Sequence, residues 1–172
     1  AHERGIWRRT GLTEYAGGAA TWETLLDVDA LAKAEGANWV YKGVSCLPPA
    51  YTDCLVDLSD GGKDAARVRE FDIAFENGRP KGFVGGGFDV PEAKSSVEWQ
   101  DKDTLLIATD WGAEKGQSTL TDSGYPFVVK RLKRGQTLAD AVEVFRGDVK
   151  DVATSPLVLG DTDGKFYRRY LR

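Results

Sequence analysis

The chain has 172 residues, a hydrophobic fraction of 41% and a formal net charge of −4, which suits one globular domain with a real core. No run approaches the roughly eighteen apolar residues of a membrane helix, and no signal-peptide pattern opens the chain. The basic residues are dispersed apart from short clusters at Arg8-Arg9, Lys130 to Arg134 and Arg168-Arg169, so neither a nucleic-acid nor a membrane partner is expected.

Ala1 opens the chain and no methionine occurs, so sequence upstream is expected to be missing and the compartment, cytoplasmic or periplasmic for a soluble protein, stays open. Strand signals then follow at 5–10, 22–28, 39–47, 54–58, 66–73, 82–90, 96–99, 104–109, 127–132 and 141–145. Most alternate apolar with polar residues or are short β-branched runs bounded by Gly, Pro, Asp or Asn. One short helix interrupts them near 29–36, with Asp29 as its cap and Gly36 in the position that favours glycine after a helix. Thr137 and Asp140 have capping-box spacing and predict a single turn feeding the strand 141–145.

Cys46 and Cys54 flank Pro48-Pro49. Their spacing fits neither a zinc site nor a redox Cys-x-x-Cys; two buried free thiols are expected, with a hairpin disulfide as the alternative. Taking Val44, Val97 and Val152 as equivalent starts gives spacings of 53 and 55 residues (97 − 44 and 152 − 97). Four antiparallel strands repeated at that length predict an all-β chain of about three propeller blades, because a sandwich shows no such period. The expected division is a leading segment 1–43, blades at 44–90 and 96–147, and the start of a further blade at 151–172. A propeller typically closes with four to eight blades, so this chain alone is an open arc with uncovered end faces.

Several local motifs have plainer explanations than chemistry. Gly85-Gly86-Gly87 lacks the Lys-Ser/Thr and helix of a phosphate loop and predicts a bulge or turn. Asp161-Thr-Asp-Gly164 lacks the remaining ligands of a calcium loop and predicts a hairpin turn. No Gly-x-Ser-x-Gly pentad occurs, and the only histidine, His2, is expected to be a disordered surface residue, which leaves a Ser/His/Asp arrangement without a base. No catalytic residue, cofactor or metal is expected. Trp39 and Trp99 should be core residues. Trp111, in the glycine-bearing loop 110–126, is the candidate contact for a ligand or partner domain.

The segments Trp22-Glu-Thr-Leu-Leu-Asp-Val-Asp-Ala-Leu31, Asn38-Trp39-Val40-Tyr41-Lys42-Gly43 and Leu58-Ser-Asp-Gly-Gly-Lys-Asp-Ala65 resemble the early propeller of bacterial prolyl oligopeptidase-type serine peptidases. Arg69-Glu70-Phe71-Asp72, Phe88-Asp-Val-Pro-Glu-Ala-Lys-Ser-Ser96, Thr121-Asp-Ser-Gly-Tyr-Pro126 and Arg134-Gly135 continue the resemblance in order, and it weakens after about Gly147. The resemblance implies a seven-bladed propeller stacked on an α/β-hydrolase domain that carries a Ser, Asp and His triad and lies beyond Arg172. It further implies that the propeller restricts access, so that short proline-containing peptides reach the nucleophile and are cut after proline. The alternative is a free-standing module that oligomerises through its open edges and binds peptide or glycan on its loops.

Overall fold

The computed structural model describes residues 2–114, 116–160 and 166–172. In chain order the elements are β1 (Ile6–Arg9), α1 (Leu12–Ala16), β2 (Glu23–Asp27), α2 (Val28–Glu35), β3 (Trp39–Cys46), β4 (Asp53–Asp60), β5 (Ala66–Glu76), β6 (Arg79–Phe83) and β7 (Asp89–Ala93). There follow β8 (Ser96–Asp101), β9 (Thr104–Ala108), the two-residue strands β10 (Ala113–Glu114) and β11 (Gln117–Ser118), β12 (Val128–Lys133), a 3-10 turn Leu138–Asp140, β13 (Val142–Arg146), β14 (Ser155–Gly160) and β15 (Phe166–Leu171). All strand pairing is antiparallel among the described residues.

These strands form stacked layers. The hairpin β1-β2 comes first, then a sheet ordered β3-β4-β5-β6 with β7 also paired to β5, then a sheet ordered β13-β12-β9-β8, then the hairpin β14-β15. Side chains alternate across each strand, so one strand feeds the cores on both of its faces. Leu55 of β4 packs with Trp99, Leu105 and Ile107 of the second sheet, whereas Val56 and Leu58 pack with Leu26 and Val28 of the leading layer. In β9, Leu105 and Ile107 face the first sheet, and Leu106 and Ala108 face Val158 and Tyr170 of the last hairpin. All five residues of β9 are buried, as expected of a strand covered on both faces.

The helix begins two residues earlier than expected, at Val28. Asp27, not Asp29, caps α2, accepting a hydrogen bond of 3.0 Å from the Ala30 amide, while Gly36 closes it at φ 65°. The expected strand 82–90 is two strands. Gly86 adopts φ 69° and a Cβ at Gly87 would lie 2.8 Å from Glu70 Oε2, so the triple glycine makes a tight turn that needs the positive φ at Gly86 and has no room for a side chain at Gly87. The capping box at Thr137 and Asp140 is formed and leads into β13.

Cys46 and Cys54 are directly opposite in the β3-β4 pairing, and the two sulfurs are bonded with the Cα atoms 4.0 Å apart. The expectation of two free thiols is therefore corrected: the strand register brings the pair to bonding distance, which spacing alone does not reveal. Val152 does not open a strand; it lies in a turn, 73% exposed, and the last hairpin starts at Ser155. The Asp161 to Gly164 motif lies outside the described residues. No described helix is long and apolar enough to cross a membrane.

Candidate functional site

The strongest polar feature joins the five-stranded sheet to the four-stranded one. Glu70 on β5 is 3% exposed and receives both terminal nitrogens of Arg134 at 2.7 and 3.0 Å. Its Oε2 also accepts the Phe88 amide at 2.8 Å. Arg134 extends the clamp to Asp103 Oδ1 at 3.0 Å and to the Lys102 carbonyl at 2.6 Å, with its guanidinium 4.6 Å above the Phe88 ring. Hydrogen bonding to Glu70 pushes the Arg134 guanidinium further up from its ordinary value. The bidentate geometry satisfies a buried carboxylate that would otherwise be costly, so the clamp fixes one sheet against the next.

Trp111 sits just beyond β9 and is half-buried. Its indole N–H donates to the Val128 carbonyl at 2.9 Å, its amide donates to Thr119 Oγ1 at 3.1 Å, and Lys130 Nζ lies 4.6 Å from its ring. Lys130 in turn pairs with Glu114, and Arg146 bridges Glu114 and Glu143 at 2.7 and 2.5 Å. These cations hold the Glu114 and Glu143 carboxyls below the usual carboxylate range, chiefly by hydrogen bonding. The loop 110–126 is thus pinned to its own sheet, and only the uncovered part of the Trp111 ring is left for a partner.

A cavity of about 340 Å³ opens where the first strands β3 and β8 meet the start of β14. Lys42 lines it from β3, Asp64 from the β4-β5 turn, Lys94 and Ser96 from the approach to β8, Tyr125 from the long loop and Ser155 from β14. Lys94 stands 4.4 Å from the Tyr125 ring and 4.0 Å from Asp64, which is 71% exposed. Lys42 is the extra residue of a β-bulge, since Tyr41 pairs with Leu58 and Gly43 with Asp57. None of this was visible as a motif: the lining comes from segments far apart in sequence, and only the fold assembles them.

Two carboxyls sit in less favourable surroundings. Burial pushes Asp57 of β4 up to about 6, and burial together with the Asp57 charge raises Glu98 of β8. Tyr41 is raised by the same burial and the same neighbour. At the leading end His2 is not a free surface residue: its Nδ1 lies 3.1 Å from Asp27 Oδ2, close to Asp29. The helix-capping bond to Ala30 lowers Asp27 first and the histidine contributes less. Trp39 and Trp99 are core residues, 6% and 3% exposed, and the Trp99 indole donates to the Ser45 carbonyl at 3.1 Å across the two sheets.

The profile of the prolyl oligopeptidase N-terminal β-propeller domain matches residues 1–166. The chain is 51% identical over 166 residues to the uncharacterized peptidase y4nA of Sinorhizobium fredii, covering 96% of this chain and 22% of that one. It is 29% identical over 183 residues to the uncharacterized peptidase RP174 of Rickettsia prowazekii, covering 95% of this chain and 24% of the other. Among solved structures, a post-proline cleaving enzyme from Rickettsia typhi superposes with TM-score 0.78 at 30% identity, covering 90% of this chain and 22% of that chain. Oligopeptidase B from Leishmania major superposes with TM-score 0.62 at 15% identity over 96% of this chain and 21% of that one, which speaks for the fold alone. The chain therefore spans less than a quarter of the length of these relatives. With stacked antiparallel sheets, open end layers and this match, the chain belongs to the prolyl oligopeptidase family, in its N-terminal β-propeller domain.

Proposed function

We propose that this chain is the non-catalytic propeller portion of a prolyl oligopeptidase-like serine endopeptidase, in which it limits which substrates reach a nucleophile carried on an α/β-hydrolase domain elsewhere in the polypeptide. The observation that carries the reading is the propeller match over residues 1–166 in a chain that covers only 22% of the length of its relative y4nA. Physical support comes from the two end layers. Leu12, Tyr15 and Trp22 in the leading layer are 82%, 63% and 42% exposed, and Leu159, Phe166 and Leu171 in the last hairpin are 48%, 46% and 55% exposed. Further blades would bury such surface and close the ring.

Gating follows from rigidity. The two large sheets are packed on both faces and clamped to each other through Glu70 and Arg134, so the wall does not part easily for a folded protein. The complete peptidase should hydrolyse a peptide of about ten residues cut after proline, and should leave the same sequence uncut when it is embedded in a folded domain. Equal cleavage of both would rule out gating; cleavage with no preference for proline would rule out the specificity.

A further inference from the structure

We propose that the cavity between β3, β8 and β14 is a carboxylate-binding site, with Lys42 and Lys94 supplying the charge and the Ser96 and Ser155 hydroxyls supplying hydrogen bonds. This rests on the peptidase reading for the source of the ligand, and on the cavity alone for its chemistry.

Three observations converge. Lys42 has no ion-pair or hydrogen-bond partner for its side chain among the described residues, and the β-bulge at its position redirects it from the regular pleat. Bulges recur where a strand must re-aim a side chain next to a site. Lys94 has only a loose hold on Asp64, at 4.0 Å with Asp64 71% exposed, so its ammonium is available to a better-placed anion. The Tyr125 ring 4.4 Å from Lys94 Nζ restricts where that ammonium sits, which lowers the ordering cost of binding.

The hydroxyls fit the same ligand. Ser95 Oγ is already engaged, 2.7 Å from Thr109 Oγ1, whereas Ser96 and Ser155 line the cavity and their hydroxyls have no partner among the described residues. Two ammonium groups against one exposed carboxylate leave a net positive wall. A volume of about 340 Å³ accommodates a carboxylate with the residue that bears it and stands at the lower end of ordinary ligand pockets. Aromatic and apolar lining is limited to Tyr125, Pro126 and Ala153, so the site selects charge more than shape.

Two sources can bring a carboxylate here: the end or acidic side chain of a peptide, or an acidic side chain from the rest of the same polypeptide. The test uses the complete peptidase and two peptides identical except for a free C-terminal carboxylate or a carboxamide. The expected result is a KM about ten-fold lower for the free acid, with the ratio falling to near one in Lys42→Met/Lys94→Met and retained in Lys42→Arg/Lys94→Arg. Matching melting temperatures confirm that the variants are folded. If the two peptides do not differ in the wild type, but the methionine variant is cut by an added protease between this segment and the remainder about ten-fold faster, the carboxylate comes from the same polypeptide. A peptide preference unchanged by the variant, or no effect in either assay, overturns the proposal. A protein that cleaves neither peptide sinks the peptidase reading alone, because calorimetric titration of the same peptides still reads the cavity without turnover; equal affinity for acid and amide there, with unchanged protease sensitivity, sinks the cavity.

Discussion

Burial holds the Asp57 carboxyl near 6, against about 3.9 in an unfolded chain. The folded state therefore binds this proton more tightly, and stability is lost as pH rises between those two values. Above pH 6 the ionised, half-buried group costs about 3 kcal/mol relative to a neutral one, each pKa unit being worth about 1.4 kcal/mol. Asp57→Asn should accordingly raise the denaturation midpoint at pH 7.5 and have little effect at pH 3.5; an equal gain at both pH values would show that charge is not the cause. Glu70 is the opposite case. Its carboxylate is buried but fully paired, so Arg134→Ala should cost about 3–5 kcal/mol by leaving it uncompensated, while Arg134→Met with Glu70→Leu should cost much less. Comparing urea midpoints of the single and double variants checks this.

At the level of elements, the disulfide closes a short loop on strands already paired along β3 and β4. Replacing both cysteines by serine should remove about 2–3 kcal/mol, the loop-closure contribution for so few residues, and leave the β-sheet signal in circular dichroism intact. Loss of that signal would mean that the crosslink, and not the strand pairing, organises the sheet. Leu106→Ala, buried between the second sheet and the last hairpin, should cost about 2–5 kcal/mol. The same alternation that makes Leu106 vulnerable made the strands legible: β4, β5, β9 and β12 carry apolar residues on both faces, and short runs of that kind bounded by turn residues read as covered strands. The last hairpin did not read so, because β15 is Phe-Tyr-Arg-Arg-Tyr-Leu and mostly exposed. Asn77-Gly78, with φ 52° and 78°, carries the two-residue hairpin signal that separates β5 from β6. The Cys46-Cys54 bond and the Lys42 bulge depend on register, which no local pattern states.

At the scale of the whole molecule, the layered stack follows from sheets whose two faces are both apolar, and its two end layers leave apolar side chains exposed. The cavity lined by Lys42, Lys94 and Ser155 belongs to this scale too: it exists only because three layers converge, which is why the sequence showed its residues without showing a site. The same holds for Trp111, whose place in the blade is set by a carbonyl seventeen residues away. Under the proposed function, the nucleophile of the complete peptidase lies outside residues 1–172. Labelling the complete polypeptide with a serine-directed fluorophosphonate and mapping the adduct by mass spectrometry tests it most directly. A single labelled serine outside this segment is expected; an adduct on any serine within residues 1–172 would refute the proposed function.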